Sequence, residues 1–384
     1  MDFTLTEEQQ RIRDRARAFT EAEIIPHARE NDARERFPAE TIRKMGEAGL
    51  LGGVIPREYG GGAMEWVSDA LLFEEVGRGD SSVRTTISVQ VSLVQQVIFR
   101  WGSEEQKRRY LPPLCRGELL GCFALTEPGA GSDAAGIATR AERRDGGWVL
   151  NGTKTWITNG GVADVAIVFA RTSPAAGHDG TAAFLVETKS PGFSTSEIRG
   201  KLGLRASNTA GIVMKECRVP VGALLGTVGE GLRIALGALD NGRFGVAAGC
   251  VGILRGCVEA CTAYTRSRTQ FGRPLASFQL VQDMIARMAV DLEAARLLVL
   301  RAAELKNRGE RNTLETSMAK YFASEAAVRA ATDAIQVHGA YGYSNAHPVE
   351  RYLRDAKVAT IYEGTSQIQK LIIGEQILGV RAFV

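Results

Sequence analysis

Four short segments in the middle of the chain constrain its fold more than anything else in the sequence. Residues 148–159 (WVLNGTKTWITN), 162–172 (VADVAIVFART), 180–188 (GTAAFLVET) and 209–219 (TAGIVMKECRV) are rich in β-branched and aromatic residues. Gly, Asn and Pro punctuate them, so they read as strands joined by turns. On both sides the chain keeps a helical period instead. Thr6-Glu7-Glu8-Gln9 has the form of a capping box, in which the Thr hydroxyl and the Gln side chain satisfy exposed amides. Apolar residues follow at Ile12, Ala16, Phe19 and Ile24 until Pro26 intervenes. A second helical segment, residues 38–52, ends in glycine as helices often do. Residues 56–62 (PREYGGG) are expected to form a loop, since three successive glycines make a helix costly in backbone entropy. Beyond residue 232, Met284, Met288, Leu292, Ala295, Val299 and Ala302 fall on one stripe of a long helix, and residues 310–339 supply another. The expected fold is α+β: helices over 1–121, a β domain over 122–232, and helices again over 233–384. No internal repeat or low-complexity linker interrupts this order.

A chain of 384 residues is long enough to bury a substantial core in two or three subdomains. Its 47 Lys and Arg against 44 Asp and Glu leave a net charge of +3, with no dense basic block, which argues against a nucleic-acid partner. No apolar run approaches the roughly 20 residues that span a bilayer, and the charged N-terminus lacks the apolar core of a signal peptide. Cys115, Cys122, Cys217, Cys250, Cys257 and Cys261 show no framework spacing, so they are expected to be buried small hydrophobes in a reducing, cytoplasmic compartment. Cys257 and Cys261 stand one helical turn apart, but His27, His178, His338 and His347 form no ligand pattern with them, and no metal is expected.

Three clusters carry chemistry. Residues 123–133 (FALTEPGAGSD) place Gly129 and Gly131 where backbone amides can approach a ligand, with hydroxyls from Thr126 and Ser132. This suits a phosphate or a polar ring edge, and an ordinary turn explains the glycines equally well. It matches neither the Walker nor the Rossmann glycine pattern. Trp156 offers a flat apolar face with the Thr158 hydroxyl two residues on, hence on the same side of a strand; a core Trp beside a turn is the plainer reading. Glu363, between Tyr362 and Gly364, is a carboxylate that an apolar pocket could raise in pKa to make a general base, or else a solvated loop residue.

Taken together and in order, FALTEPGAGSD, NGTKTWITNG, RTQFGRPL, QVHGAYGY and IYEGTSQIQ make nearly the whole chain resemble the acyl-CoA dehydrogenase family. The resemblance implies an N-terminal helical domain, a central β domain, a C-terminal four-helix bundle, FAD as cofactor, a homotetramer, and electron-transfer flavoprotein as the acceptor. The family oxidises the Cα–Cβ bond of an acyl-CoA thioester, a carboxylate taking the α proton while the β hydrogen leaves as hydride. The base would be Glu363; some relatives carry it on an earlier helix, at the position occupied here by Gly242, which cannot serve. By the same resemblance Phe123, Leu125, Thr126, Gly131, Ser132, Trp156 and Thr158 would line the flavin. Arg268, Phe271, Gln279, Gln336, Val337, Gly339, Thr365 and Gln367 would also contact FAD, several of them across a subunit boundary. Ser132, Asp240 and Arg243 would touch the CoA portion, and Tyr362 and Gly364 the acyl pocket.

The substrate clue is residues 81–94 (SSVRTTISVQVSLV). Glutaryl-CoA dehydrogenases place an Arg here with a Ser four residues later, and Arg84 and Ser88 reproduce that pair on one helix face. The resemblance implies a short acyl-CoA with a distal carboxylate, such as glutaryl-CoA. Those relatives also carry a Glu seven residues earlier, where this chain has Gly77, which leaves decarboxylation open. A plain short-chain acyl-CoA dehydrogenase, or a relative acting on acyl groups tethered to a carrier protein, also fits. A flavin oxidase remains compatible with the motifs, and the intact Glu363 speaks against a mere binder.

Overall fold

The computed structural model describes residues 4–173 and 180–382, so His178 lies outside the described residues. Helix α1 (Glu7–Phe19) begins with the expected capping box between Thr6 and Gln9. It does not stop before Pro26. A π-helical turn (Thr20–Ile24) shifts the hydrogen-bond register, and α2 (Ile25–Ala33) continues with the proline at its start, where a missing N–H costs little. Helices α3 (Ala39–Glu47), α4 (Trp66–Gly79), α5 (Ser81–Ser88), α6 (Gln96–Trp101) and α7 (Glu104–Cys115) complete the N-terminal region. A second π-helical segment, Val89–Gln95, joins α5 to α6.

The four expected strand segments appear as β3 (Gly147–Thr158), β4 (Val165–Arg171), β5 (Thr181–Glu187) and β7 (Thr209–Pro220). They are joined by β1 (Gly121–Ala124), β2 (Arg140–Arg144), β6 (Phe193–Glu197) and β8 (Leu224–Leu225), in the order β6-β7-β3-β2-β4-β5-β8. β1 pairs in parallel with β4, Gly121 opposite Val165. β2 and β3 form a hairpin over Asp145-Gly146, both with positive φ as its tight turn requires.

The C-terminal region is α8 (Gly231–Ser267), a small hairpin of β9 (Thr269–Gln270) and β10 (Arg273–Pro274), α9 (Gln279–Asn307), α10 (Thr313–His338), α11 (Val349–Ala359) and α12 (Ser366–Leu378). The α9 stripe is placed as expected, with Met288, Leu292, Ala295, Val299 and Ala302 buried. α8 is the central pillar, packed on α4, α9 and α10. Over 18 residues its mean hydropathy of 1.5 is high enough to cross a membrane, but 78% of that window is buried within the protein. The apolar window reflects enclosure by α4, α9 and α10. All six cysteines are buried and unpaired.

Candidate active site

Glu363 stands on the turn between α11 and α12, where it and Gly364 have φ of +53° and +86°. A left-handed conformation is unfavourable for Glu, and persists only where surrounding contacts enforce it. Here the carbonyl oxygens of both residues are held. Arg243 Nε donates to the Glu363 carbonyl at 3.2 Å, and Gln369 Nε2 donates to the Glu363 and Gly364 carbonyls at 3.2 and 3.0 Å. The backbone N–H groups of Glu363, Gly364 and Thr365 have no partner among the described residues. The Glu363 Oε2 atom is shielded from solvent and no group donates to it.

That carboxylate lies against Gly242 on α8. A Cβ built on Gly242 would collide with both Glu363 carboxylate oxygens. The two positions from which the resemblance derives a base therefore face each other across one space, and glycine at 242 leaves that space to Glu363. Burial pushes the Glu363 carboxyl up to about 7, against the pull of the Arg84, Lys320 and Arg243 charges. A base tuned to near neutrality suits abstraction of a weakly acidic proton.

Glu363 opens into a cavity of about 740 Å³ bounded by α5, the ends of β1 and β3, α8 and α12. Phe123, Leu125, Thr126, Gly131, Ser132, Trp156 and Thr158 all line it. So do Arg84, Ser88, Arg243, Tyr362, Gly364 and Thr365. Asp240 sits behind the wall, where it accepts from Arg243 Nη1 at 2.8 Å and from Thr313 Oγ1 at 2.9 Å. Gln367 is exposed on α12 and is not in the lining.

Arg84 is 3% exposed, although arginines are rarely buried unless paired. Its stem lies on α8 where Gly249 leaves room; a Cβ there would stand 2.5 Å from Arg84 Cδ. Arg84 Nη2 donates to the Tyr362 hydroxyl, Nε is unpaired, and no carboxylate lies within ion-pair distance among the described residues. Ser88, one turn along α5, is buried with its Oγ also unpaired. A desolvated cation with no ion-paired acid at a cavity wall is suited to an anionic ligand.

The opposite wall fits a planar aromatic cofactor. Trp156 has φ +57° and is 62% exposed, held out from the sheet where the β3–β7 register slips between Lys154 and Ile157. It reaches the same cavity as Thr158 through that bulge rather than by plain alternation. A Cβ on Gly129 or Gly131 would meet nothing within 4 Å, so the glycine turn faces open space. Two residues of these motifs escaped the sequence reading. Glu127 Oε1 accepts from buried Lys154 Nζ at 2.7 Å, and the Glu127 carboxylate also takes the Ala138 and Thr139 amides, which ties the glycine turn to the Trp156 strand. Their opposite charges, one in the glycine turn and one in β3, carry no local signal that they meet. Asn159 was missed too; its Nδ2 donates to the Thr86 and Gly121 carbonyls, which links that strand to α5.

Arg268, Phe271, Gln279, Gln336, Val337 and Gly339 are not in this cavity. Several gather elsewhere on the C-terminal region, with Phe271 92% exposed and the Arg268 guanidinium 5.8 Å from the Tyr341 ring centre.

Family models agree with this architecture. Residues 6–118, 122–217 and 229–378 match the N-terminal, middle and C-terminal domains of acyl-CoA dehydrogenase. The chain is 46% identical to an acyl-CoA dehydrogenase of Bacillus subtilis, over 98% of this chain and 99% of that one. It is 43% identical to a glutaryl-CoA dehydrogenase of Desulfococcus multivorans, over 99% of each. It is also 43% identical to a short-chain-specific acyl-CoA dehydrogenase of Clostridium acetobutylicum, over 98% and 100%. Among solved structures it superimposes on a glutaryl-coenzyme A dehydrogenase in complex with glutaryl-CoA, with a TM-score of 0.97 and 43% identity over 99% and 98% of the two chains. A chain from a study of the electron transferring flavoprotein of Acidaminococcus fermentans gives 0.97 and 44% over 98% and 100%. The prolyl acyl carrier protein oxidase AnaB gives 0.95 and 34% over 98% and 100%. With its three domains matched in order, the chain belongs to the acyl-CoA dehydrogenase family and is an FAD-dependent oxidoreductase acting on CH–CH bonds.

Proposed function

We propose that the protein dehydrogenates a short acyl-CoA thioester that ends in a carboxylate, of which glutaryl-CoA is the type. The observation that carries this reading is Arg84, buried, with no carboxylate within ion-pair distance among the described residues, on the same cavity as Glu363. A substrate carboxylate would supply the missing counter-charge, with Ser88 Oγ as a neighbouring hydroxyl. Glu363 takes the α proton. The unpartnered amides of its turn are donors suited to the thioester oxygen, where charge develops as the proton leaves. FAD, when bound, accepts the β hydrogen as hydride. Trp156, Thr126, Thr158 and the turn at Gly131 would hold its ring system. Ser132 and Arg243, with Asp240 steadying Arg243, would serve the CoA portion.

The acceptor in this reading is electron-transfer flavoprotein, and the enzyme works in the cytoplasm as a homotetramer. Supporting the last point, Phe271, Leu280 and Tyr343 leave large apolar surfaces 92%, 80% and 86% exposed, as an unburied interface would. Arg268, Phe271, Gln279, Gln336, Val337, Gly339 and Gln367 lie outside their own subunit's cavity and would reach FAD at its margin or in a neighbouring subunit, while Thr365 would serve within the subunit. The proposed domain division at residues 121/122 and 232/233 falls one and two residues inside β1, which starts at Gly121, and α8, which starts at Gly231.

The test is an anaerobic titration of the FAD-loaded protein with glutaryl-CoA and, separately, butyryl-CoA, following flavin bleaching. Bleaching by glutaryl-CoA with little response to butyryl-CoA is the expected result, and the reverse preference defeats the acidic-acyl reading. Silence with both would direct attention to carrier-tethered substrates. Gly77 places no carboxylate beside Arg84, so product analysis for crotonyl-CoA against glutaconyl-CoA decides whether carbon dioxide leaves. Arg84→Ala should lower kcat/KM for glutaryl-CoA by about 10- to 100-fold, the worth of a lost charge-assisted contact, and leave butyryl-CoA nearly unchanged. An equal loss on both substrates rejects the carboxylate clamp.

A further inference from the structure

Lys320 is a buried cation that no motif singles out. It lies on the face of α10 that also buries Ala319, Ala323 and Ala327, and it is fully enclosed. Among the described residues no carboxylate comes within ion-pair distance of it. Its one hydrogen bond runs to the turn that bears the base, Nζ donating to the Gly364 carbonyl at 2.7 Å. A desolvated lysine is costly to a fold, and one spent on a backbone carbonyl needs a reason.

The peptide plane supplies one. Because the peptide is trans and planar, the C=O of one residue and the N–H of the next point in opposite directions. Arg243 and Gln369 draw the Glu363 carbonyl inward, and Lys320 and Gln369 draw the Gly364 carbonyl inward. The Gly364 and Thr365 N–H groups must then point away from that grip, and both residues line the cavity. The same grip holds the two consecutive positive-φ residues, 363 and 364, that aim the carboxylate at Gly242. The charged and titratable groups that act on Lys320 are Glu363, Arg243, Cys250 and Glu325, and those that act on Glu363 are Arg84, Lys320 and Arg243.

We propose that Lys320 is a positioning residue for the reaction: through its bond to the Gly364 carbonyl it locks the base-bearing turn in its left-handed form and keeps a positive charge on that turn, next to the base. This rests on the reading of Glu363 as the base. Lys320 lowers the proton affinity of Glu363, so its removal should move the carboxyl further up.

The experiment uses FAD-loaded Lys320→Met, Lys320→Arg and Glu363→Gln. Acetoacetyl-CoA is the first probe, since its acidic α proton can be removed without hydride transfer, and enolate absorbance is followed against pH. Lys320→Met should shift the enolate midpoint upward by about one pH unit, the usual scale for a nearby charge, and slow bleaching by the preferred acyl-CoA about tenfold at pH 7. Lys320→Arg should restore most of both. An unshifted midpoint, with loss of rate that simply follows loss of melting temperature, overturns the proposal. Enolate formation by Glu363→Gln equal to that of the parent would instead overturn the assignment of the base, so the two failures are distinct. Should Lys320→Met not fold, Lys320→Gln, which keeps a donor and loses the charge, reads the same midpoint.

Discussion

At the scale of single residues the chemistry is concentrated in Glu363. Its carboxyl sits at about 7 because burial disfavours the charged form more strongly than Arg84, Lys320 and Arg243 favour it. The active form is the carboxylate, so dehydrogenation should rise with pH through this value and fall about tenfold for each unit below it. Stopped-flow bleaching across pH 5.5–8.5 checks the sign; a rate that falls as pH rises through 7 contradicts it. Glu363→Gln should retain FAD and ligand binding while dehydrogenation drops by about 10²- to 10⁴-fold. Glu363 was legible as the base only through the resemblance carried by the five motifs together, since YEGT alone fits a solvated loop residue as well. Gly242 was legible only as something missing. That its absent side chain makes the space for the base is a fact about two segments some 120 residues apart, and no local pattern carries it.

At the scale of elements, β-branched and aromatic runs bounded by turn residues located β4 and β5, which are buried on both faces and so carry no alternation, while helical periodicity located the long α9 and α10 segments. It did not foresee the π-helical turns at Thr20–Ile24 and Val89–Gln95, where one extra residue slips the register without changing residue type. Nor did it place β1, four buried residues whose partner β4 lies across a long connection. The approach of α4 and α5 to α8 was equally hidden. Gly249 receives the Arg84 stem, and a Cβ on Gly77 would stand 2.5 Å from the Gly249 carbonyl oxygen. Gly249→Ala should therefore push Arg84, and with it α5, from its seat on α8. We expect KM for glutaryl-CoA to rise about tenfold with butyryl-CoA much less affected, and a stability loss of about 1–3 kcal/mol from overpacking. Thermal melts and paired kinetics measure both, and unchanged selectivity would mean that Arg84 is placed by Tyr362 alone.

At the scale of the whole molecule, the N- and C-terminal helical regions are joined by a buried ionic network. Glu75 on α4, with a side chain 1% exposed, accepts from Arg17 on α1 at 3.0 Å and from Arg255 Nη1 on α8 at 2.8 Å. Neighbouring Glu74 takes Arg255 at 3.0 Å and Arg296 on α9 at 2.9 Å. Four helices thus meet on two carboxylates, one turn along α4 from Gly79 and the start of α5. Burial alone would raise the Glu75 carboxyl; Arg255 and Arg17 outweigh it and hold it below the usual range. A folded-state pKa below the unfolded one stabilises the protein above the unfolded value, and that stability is lost as pH falls through the folded one. Glu75→Gln keeps the shape but leaves Arg255 and Arg17 short of a counter-charge, a disruption worth about 3–5 kcal/mol for a buried pair. The melting temperature of Glu75→Gln should fall well below the parent's at pH 7, and the gap should close as the pH drops below the ordinary carboxylate range. A gap that stays constant down to the acid transition would mean that packing, rather than charge, joins the two helical regions.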